Sequence, residues 1–188
     1  MNETFSSILK RRSIRSYRQK PVGQADLDRI LEAGRYAPTA MNQQPWHFTV
    51  IRDPELLVKL ESSCRNAFLE SNIDALRKVA GQEGFSVFYH APLIVIVSAD
   101  SAALAPQYDA TLAMGNMMVA ATSLGIGSCW THAVMMYYST GRGREVFREL
   151  GIGFPEQHEP YAAAVFGYPE GSWPEAPPRK TGCVTIIG

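Results

Sequence analysis

Residues 105–124 carry Ala, Met and Leu around nearly the whole circumference of a helix. A helix that is apolar on every side has to be covered on every side. A chain of 188 residues offers little protein to do the covering. Either the helix is sandwiched within one chain, or it packs against its symmetry mate in a homodimer. The expectation is the homodimer, with helix 24–37 as a second element at the interface.

The other elements read locally. In residues 24–37, Leu27, Ile30, Leu31 and Gly34 recur at i, i+3, i+4 and i+7, an amphipathic helix. Pro38 stops it, because proline disfavours helical geometry in the residue before it. Trp46 to Ile51 is β-branched and aromatic between Pro45 and Asp53-Pro54, and reads as a strand. Residues 54–63 read as a helix, residues 66–80 as another, followed by a loop to residue 90. Leu93 to Val97 is apolar on both faces, which suits a central strand. Gly125 and Gly127 end the long helix. Arg142 to Leu150 is a short helix with Gly151 as its C-cap, and Tyr161 to Phe166 is a buried strand. The tail WPEAPPRKTGCVTIIG is proline-rich and then β-like, an arm over residues 170–188 rather than core. One α+β domain over 1–188 is expected, a small sheet flanked by helices.

Charge narrows the function classes. Lys plus Arg total 18 and Asp plus Glu total 18, so the net charge is zero. That argues against a chain-wide role on nucleic acid or an acidic membrane. The longest aliphatic run, Leu93 to Val97, is too short to span a bilayer, and the start lacks the apolar stretch of a secretory signal. The three cysteines are odd in number and widely spaced, and the four histidines form no HxxxH, so neither a disulfide framework nor a metal site is expected. The chain reads as soluble and cytoplasmic.

Four segments carry chemistry. The cations are unevenly placed: Lys10, Arg11, Arg12, Arg15, Arg18 and Lys20 fall in a stretch without an acid. Guanidinium groups bind phosphate bidentately and stay charged at any working pH. In an extended segment Arg11, Ser13 and Arg15 point to one side. Read alone, the cluster also fits a solvated basic turn or a nucleic-acid patch. The second segment, Ala37 to Trp46, sets Thr39, Asn42, Gln43 and Gln44 between a helix stop and a strand start. Its amides suit a heterocycle with donors and acceptors, or simply a polar loop. The third, Gly125 to Trp130, offers glycines for close backbone approach, or only a turn. The fourth, Phe88-Tyr89-His90-Ala91-Pro92, places an aromatic pair at a strand entry, to cover a planar ligand or to plug the core.

In this order and spacing, RRSIRSY, APTAMNQQPWHF, FYHAP before LIVIV, GIGSCW, and GYP with PPRK resemble the nitroreductase family of flavoproteins. The resemblance runs through nearly the whole chain, and RRSxRxY followed by PxxxNxQPW is its specific part. It implies a three-layer sandwich with a small mixed or antiparallel sheet and an intertwined homodimer with FMN at the subunit interface. Arg11, Arg12 and Ser13 would hold the FMN phosphate and ribityl chain. Arg15 would stabilise negative charge at the N1/O2 edge of the reduced ring. Pro38, Thr39, Ala40 and Asn42 would approach from the partner subunit with Gln44 nearby, and Gly127 and Ser128 would offer backbone contacts. Arg179, with Lys180, would return from the tail to the phosphate.

Larger members carry an asparagine-lysine pair before the central strand; here the segment reads GQEGFSVFYHAP, and Phe88 and Tyr89 would shape the substrate pocket instead. The implied chemistry is hydride transfer from NADH or NADPH to the flavin, then reduction of a nitroaromatic, quinone or similar small acceptor in ping-pong fashion, with no side-chain acid required. Relatives that dehalogenate or fragment flavin carry extra lid segments, for which 188 residues leave little room. A flavin-sensing or nucleic-acid-binding module without turnover is the alternative of a different class.

Overall fold

The computed structural model describes residues 2–188. Four strands, β1 (Trp46–Ile51), β2 (Leu93–Asp100), β3 (Gly127–Trp130) and β4 (His158–Gly167), form one antiparallel sheet of order β1-β2-β4-β3. The helices are α1 (Glu3–Lys10), α2 (Gln24–Arg35), α3 (Pro54–Leu69), α4 (Asp74–Ala80), α5 (Pro106–Ser123), α6 (Ala133–Tyr138) and α7 (Gly141–Glu149).

Strands β2 and β4 are central because both of their faces are apolar. Ile94 and Ile96 of β2, with Ala163 and Val165 of β4, face a core shared with α3, α6 and α7. Leu93, Val95, Val97 and Ala99, with Ala162, Ala164 and Phe166, face a second core shared with α2 and α5. Period-two alternation between two covered faces thus produces the three layers. Register slips by one residue between Val97 and Ser98, and Pro160 sits at that bulge, where a strand tolerates the loss of a donor.

Helix α5 is covered largely within its own chain. The sheet lies on one side, and on another the buried stripe Leu27, Ile30 and Gly34 of α2. A Cβ on Gly34 would lie 2.9 Å from Met117 Cγ, so glycine sets the closeness of that helix pair. The stripe of α2 is therefore occupied within the chain and is not free for a symmetry mate, contrary to the expectation for helix 24–37. Tyr108, Thr111, Leu112 and Gly115 of α5 remain exposed. The helix ends in a Schellman motif: Gly125 takes φ +73°, its N–H meets Thr122 O at 3.1 Å, and Ile126 N–H meets Ala121 O at 2.8 Å.

Two expectations change. The helix expected over 66–80 is split, since α3 runs on to Leu69 and α4 starts at Asp74. Ser71 Oγ accepts the Ile73 N–H at 3.1 Å, and a side chain that serves the backbone this way competes with the helix. The β-like end of the tail forms no strand, and Ile186 and Ile187 are 90% and 95% exposed. The arm leaves the domain past Trp173, whose indole N–H donates to Lys10 O at 2.7 Å. No helix of the described residues is long and apolar enough to cross a membrane.

Candidate active site

The basic segment is clamped along the edge of the sheet. Ser13 pairs with Ser128 of β3 in a parallel bridge, and Ile14 N–H donates to Ser128 O at 3.0 Å. Further on, Arg18 N–H donates to Tyr168 O at 2.9 Å and Glu170 N–H to Ser16 O at 3.0 Å. The buried Tyr17 hydroxyl closes the turn on Ile14 O at 2.7 Å. Gly127 makes the approach possible: a Cβ there would come within 2.6 Å of Ile14 Cγ1. Its packing reason is therefore contact with Ile14. Gly127→Ala is expected to lower stability by about 1–3 kcal/mol, as overpacking does, and to loosen residues 11–15; thermal melting checks it.

Extended backbone gives the cations different fates. Arg11 and Ser13 line a recess of about 480 Å³ with Thr111, Gly115 and Asn116 of α5 and Trp130. Arg12 folds back, donating from Nη1 to Leu9 O at 2.8 Å and Arg11 O at 2.6 Å, so it finishes the C-terminus of α1. Arg15 is exposed, with its guanidinium carbon 5.7 Å from the Tyr89 ring centroid. The Tyr89 phenol is the main cause that holds Arg15 above its ordinary pKa, so this cation is permanent. The buried Cys129 thiol lies beside the same groups: burial pushes it up, and Arg15, Tyr89 and Ser13 oppose the shift.

Buried polar atoms are nearly always paired in native folds. Among the described residues four buried side-chain polar atoms lack a partner, and Arg12 Nε, Ser128 Oγ and Asp109 Oδ2 are three of them. All three sit in or against the segments singled out from the sequence. The backbone shows the same focus. Of six non-glycine residues with left-handed φ, five are Met41, Asn42, Gln44, Tyr89 and His90; Gln157 is the sixth. Strain of this kind persists only where surroundings enforce it, and it gathers at functional sites.

Loop 38–44 is tied to the start of α5. Ala40 N–H donates to Asp109 Oδ1 at 3.2 Å and Leu104 N–H to Gln43 Oε1 at 2.9 Å. Thr39 Oγ1 accepts the Gln44 N–H at 3.3 Å, and Gln44 Nε2 donates to Asn42 Oδ1 at 2.9 Å. Pro38 and Asn42 are exposed and Thr39 and Ala40 half-buried. Ser128 follows the other end of α5, an 18-residue helix about 27 Å long at 1.5 Å per residue. Thr111, two residues from Asp109, lines the recess with Arg11 and Ser13, but no hydrogen bond among the described residues joins Pro38, Thr39, Ala40, Asn42 or Gln44 to the group formed by Arg11, Ser13, Arg15, Gly127 and Ser128.

Phe88, and Arg179 with Lys180, stand apart from the basic segment in the single chain. Phe88 is 2% exposed and packs in the core with α3, so it does not share a pocket with Tyr89. It borders a separate cavity of about 410 Å³ that contains none of the basic residues 11–15. Tyr89 is half-buried against the edge of that same core, with its ring set against Arg15. Arg179 and Lys180 are exposed, and their side chains make no hydrogen bond or ion pair among the described residues. The chain leaves the domain before reaching them.

Three groups escaped sequence reasoning. Asp109 holds Ala40, and its signal was a lone acid in an apolar helix. Glu61 stands among Leu57, Leu60 and Cys64 at helical spacing, an acid on a buried stripe. Ser86 left no signal beyond its place before FYHAP.

Comparison with known proteins agrees with this fold. The model of the Nitroreductase family matches residues 8–168. A crystal structure of a nitroreductase with bound FMN from Bacteroides fragilis superposes with a TM-score of 0.90 at 36% identity, covering 100% of both chains. A protein of Archaeoglobus fulgidus, provisionally named NADH dehydrogenase/NAD(P)H nitroreductase, is 32% identical over 170 residues, 90% of this chain and 87% of its own. An iodotyrosine deiodinase of Thermotoga neapolitana is 25% identical over 184 residues, 94% of each chain. A deiodinase of comparable length removes the expectation that 188 residues leave too little room for dehalogenating relatives. The sheet order, the clamped basic edge and these matches agree: the chain belongs to the nitroreductase family.

Proposed function

We propose that the chain is an FMN-dependent oxidoreductase that takes hydride from NADH or NADPH and reduces a nitroaromatic, quinone or similar small acceptor by a ping-pong cycle, as a homodimer. The observation that carries this is the clamped edge: three arginines and Ser13 on one pinned segment, with Arg12 Nε and Ser128 Oγ buried and unpartnered beside it. Such a donor set fits an anionic, hydrogen-bonding ligand, and the FMN phosphate and ribityl chain offer both. Arg11, Arg12 and Ser13 hold that end. Arg15 holds a fixed positive charge at the pyrimidine edge, and Gly127 and Ser128 line the ring through their backbone. Pro38, Thr39, Ala40, Asn42 and Gln44 come from the second subunit, and Arg179 and Lys180 reach the phosphate along the arm 170–188. When bound, FMN supplies the redox chemistry, accepting hydride from the nicotinamide and passing two electrons to the acceptor. Protons come from solvent, so no side-chain acid is assigned.

The dimer has its own support. Phe5, Ile8 and Leu9, at i, i+3 and i+4 of α1, are 53%, 51% and 50% exposed, and they flank the bare face of α5 that carries Tyr108 and Leu112. An apolar stripe on two packed helices marks an interaction surface. A reducing cytoplasm fits three free cysteines, two of them buried.

Purified protein is expected to be yellow, to bleach with NADH or NADPH in stopped-flow, and to recover on adding a nitroaromatic or quinone. Protein that neither carries nor binds FMN refutes the reading. The similarity to a deiodinase favours one second reading, reductive dehalogenation at the same flavin; release of halide from a halogenated phenol, with no turnover of nitroaromatics, would select it.

A further inference from the structure

Between α4 and β2 the chain makes a turn with two consecutive left-handed residues, Tyr89 at φ +56° and His90 at φ +54°. Its enforcement is visible. Ser86, 6% exposed, accepts the His90 N–H on Oγ at 2.9 Å and donates its own proton to Glu61 Oε1. The Phe88 N–H donates to that same carboxylate oxygen at 3.2 Å. Gln19 Nε2 takes the His90 carbonyl from outside at 3.1 Å, and the Phe88 ring anchors the turn in the core. One carboxylate oxygen on α3 therefore receives two donors of the same turn.

What the turn delivers is the Tyr89 ring, set against the Arg15 guanidinium. Arg15 has little else to hold it. Its remaining contact is a 3.4 Å bond from Nη1 to Ser13 O, and it makes no ion pair among the described residues. A long, flexible cation loses side-chain entropy when it is fixed, so an aromatic face that fixes it in advance saves that loss at the moment of use.

We propose that Glu61 is a positioning residue: through Ser86 and the Phe88 amide it locks the turn that sets Tyr89 against Arg15, and so sets how firmly positive charge is held at the flavin pyrimidine edge. This rests on the reading of Arg15 given above. Glu61 acts through its hydrogen-bond geometry, because the Ser86 hydroxyl and the Phe88 amide need an oxygen acceptor at that place. Glu61→Gln retains an oxygen acceptor of the same reach, whereas Glu61→Ala removes it.

The test has two arms, both in a Cys183→Ser background that removes the exposed thiol. In the apoprotein, labelling of Cys129 by a thiol reagent reports whether Tyr89 and Arg15 remain over it. Cys64 is buried and pushed up to about 12, with Glu61 a lesser cause of that shift, so its labelling is read separately from that of Cys129 by peptide mass spectrometry. Glu61→Ala and Tyr89→Ala are expected to label about tenfold faster, the effect of losing one buried hydrogen bond, and Glu61→Gln at the wild-type rate. In the FMN-loaded protein, the midpoint potential is measured by dye equilibration. Glu61→Ala is expected to weaken retention of reduced relative to oxidised flavin about tenfold, a shift of about 30 mV to more negative potential. Glu61→Gln should not shift it, and adding Glu61→Ala to Tyr89→Ala should change nothing further.

A potential unchanged in Glu61→Ala overturns the proposal, as does an equal shift in Glu61→Gln. So does a second, additive shift in the double variant, which would make Glu61 independent of Tyr89. Faster labelling without a change in potential also overturns it, since the turn would then hold Tyr89 without tuning Arg15. Wild-type protein that binds no FMN refutes the reading beneath, and is distinguished because the labelling pattern of the apoprotein survives it.

Discussion

Leu112→Arg is expected to yield a monomer that no longer retains FMN. Leu112 is 47% exposed at the middle of the bare face of α5, beside Thr111 and Gly115 and near the apolar stripe of α1. An unpaired charge buried at the centre of an interface costs several kcal/mol; about 4 kcal/mol corresponds to roughly a thousandfold weaker association. The helix itself should survive, because arginine is a good helix former and the position is exposed in one chain. Loss of FMN follows from position, because Leu112 also lines the recess with Arg11 and Ser13. The 38–44 loop is tied to Asp109 at the start of α5, and the clamped arginines lie beside Ser128 beyond its end. In the proposed homodimer the 38–44 loop of the second chain completes the site at the clamped arginines. Sedimentation velocity and FMN fluorescence decide the matter: wild type at about twice the 20.8 kDa chain mass with flavin bound, the variant at the chain mass without it. A variant that stays dimeric, or a monomer with undiminished FMN affinity, contradicts the assignment of the interface.

Arg15→Ala should slow reduction of the bound flavin by nicotinamide about a hundredfold, the size found when one preorganised charge-stabilising group is removed. Its effect on FMN affinity should be the smaller one. Arg15 is exposed, has no acid partner among the described residues and rests against Tyr89, which fits a charge available to the ligand. Arg12→Ala should behave in the opposite way. Arg12 already donates to the carbonyls of Leu9 and Arg11, so its loss frays α1 and weakens FMN binding before it touches the rate. Stopped-flow reduction and an FMN titration on each variant separate the two. Equal behaviour of the pair counts against both roles.

Much of the fold was legible because the relevant signals are local. Strand β1 occupies Trp46–Ile51 as its aromatic and β-branched run required, and α5 ends at the glycine that a left-handed cap demands. The split of α3 from α4 was not legible, because Ser71 ends the helix through one side-chain bond that competes with a tolerable helical pattern. The basic segment was recognisable by residue type, yet its arginines look alike in sequence. Only their surroundings make Arg12 a helix cap and Arg15 a free cation. Phe88 and Tyr89 are neighbours of one kind in the sequence, yet Phe88 is fully buried and Tyr89 half-buried with its ring against Arg15.

The sequence by itself determined the long helices α2 and α5, the strands β1, β2 and β4, their apolar faces, and the chemical types present at the site, since period, breakers and charge act over a few residues. The tertiary structure decided which of those types meet. The bonds that build the site join Ala40 to Asp109 across 69 positions and Ser86 to Glu61 across 25. A hydrogen bond constrains space and leaves no period along the chain, so such partners become visible only when packing has placed them within reach.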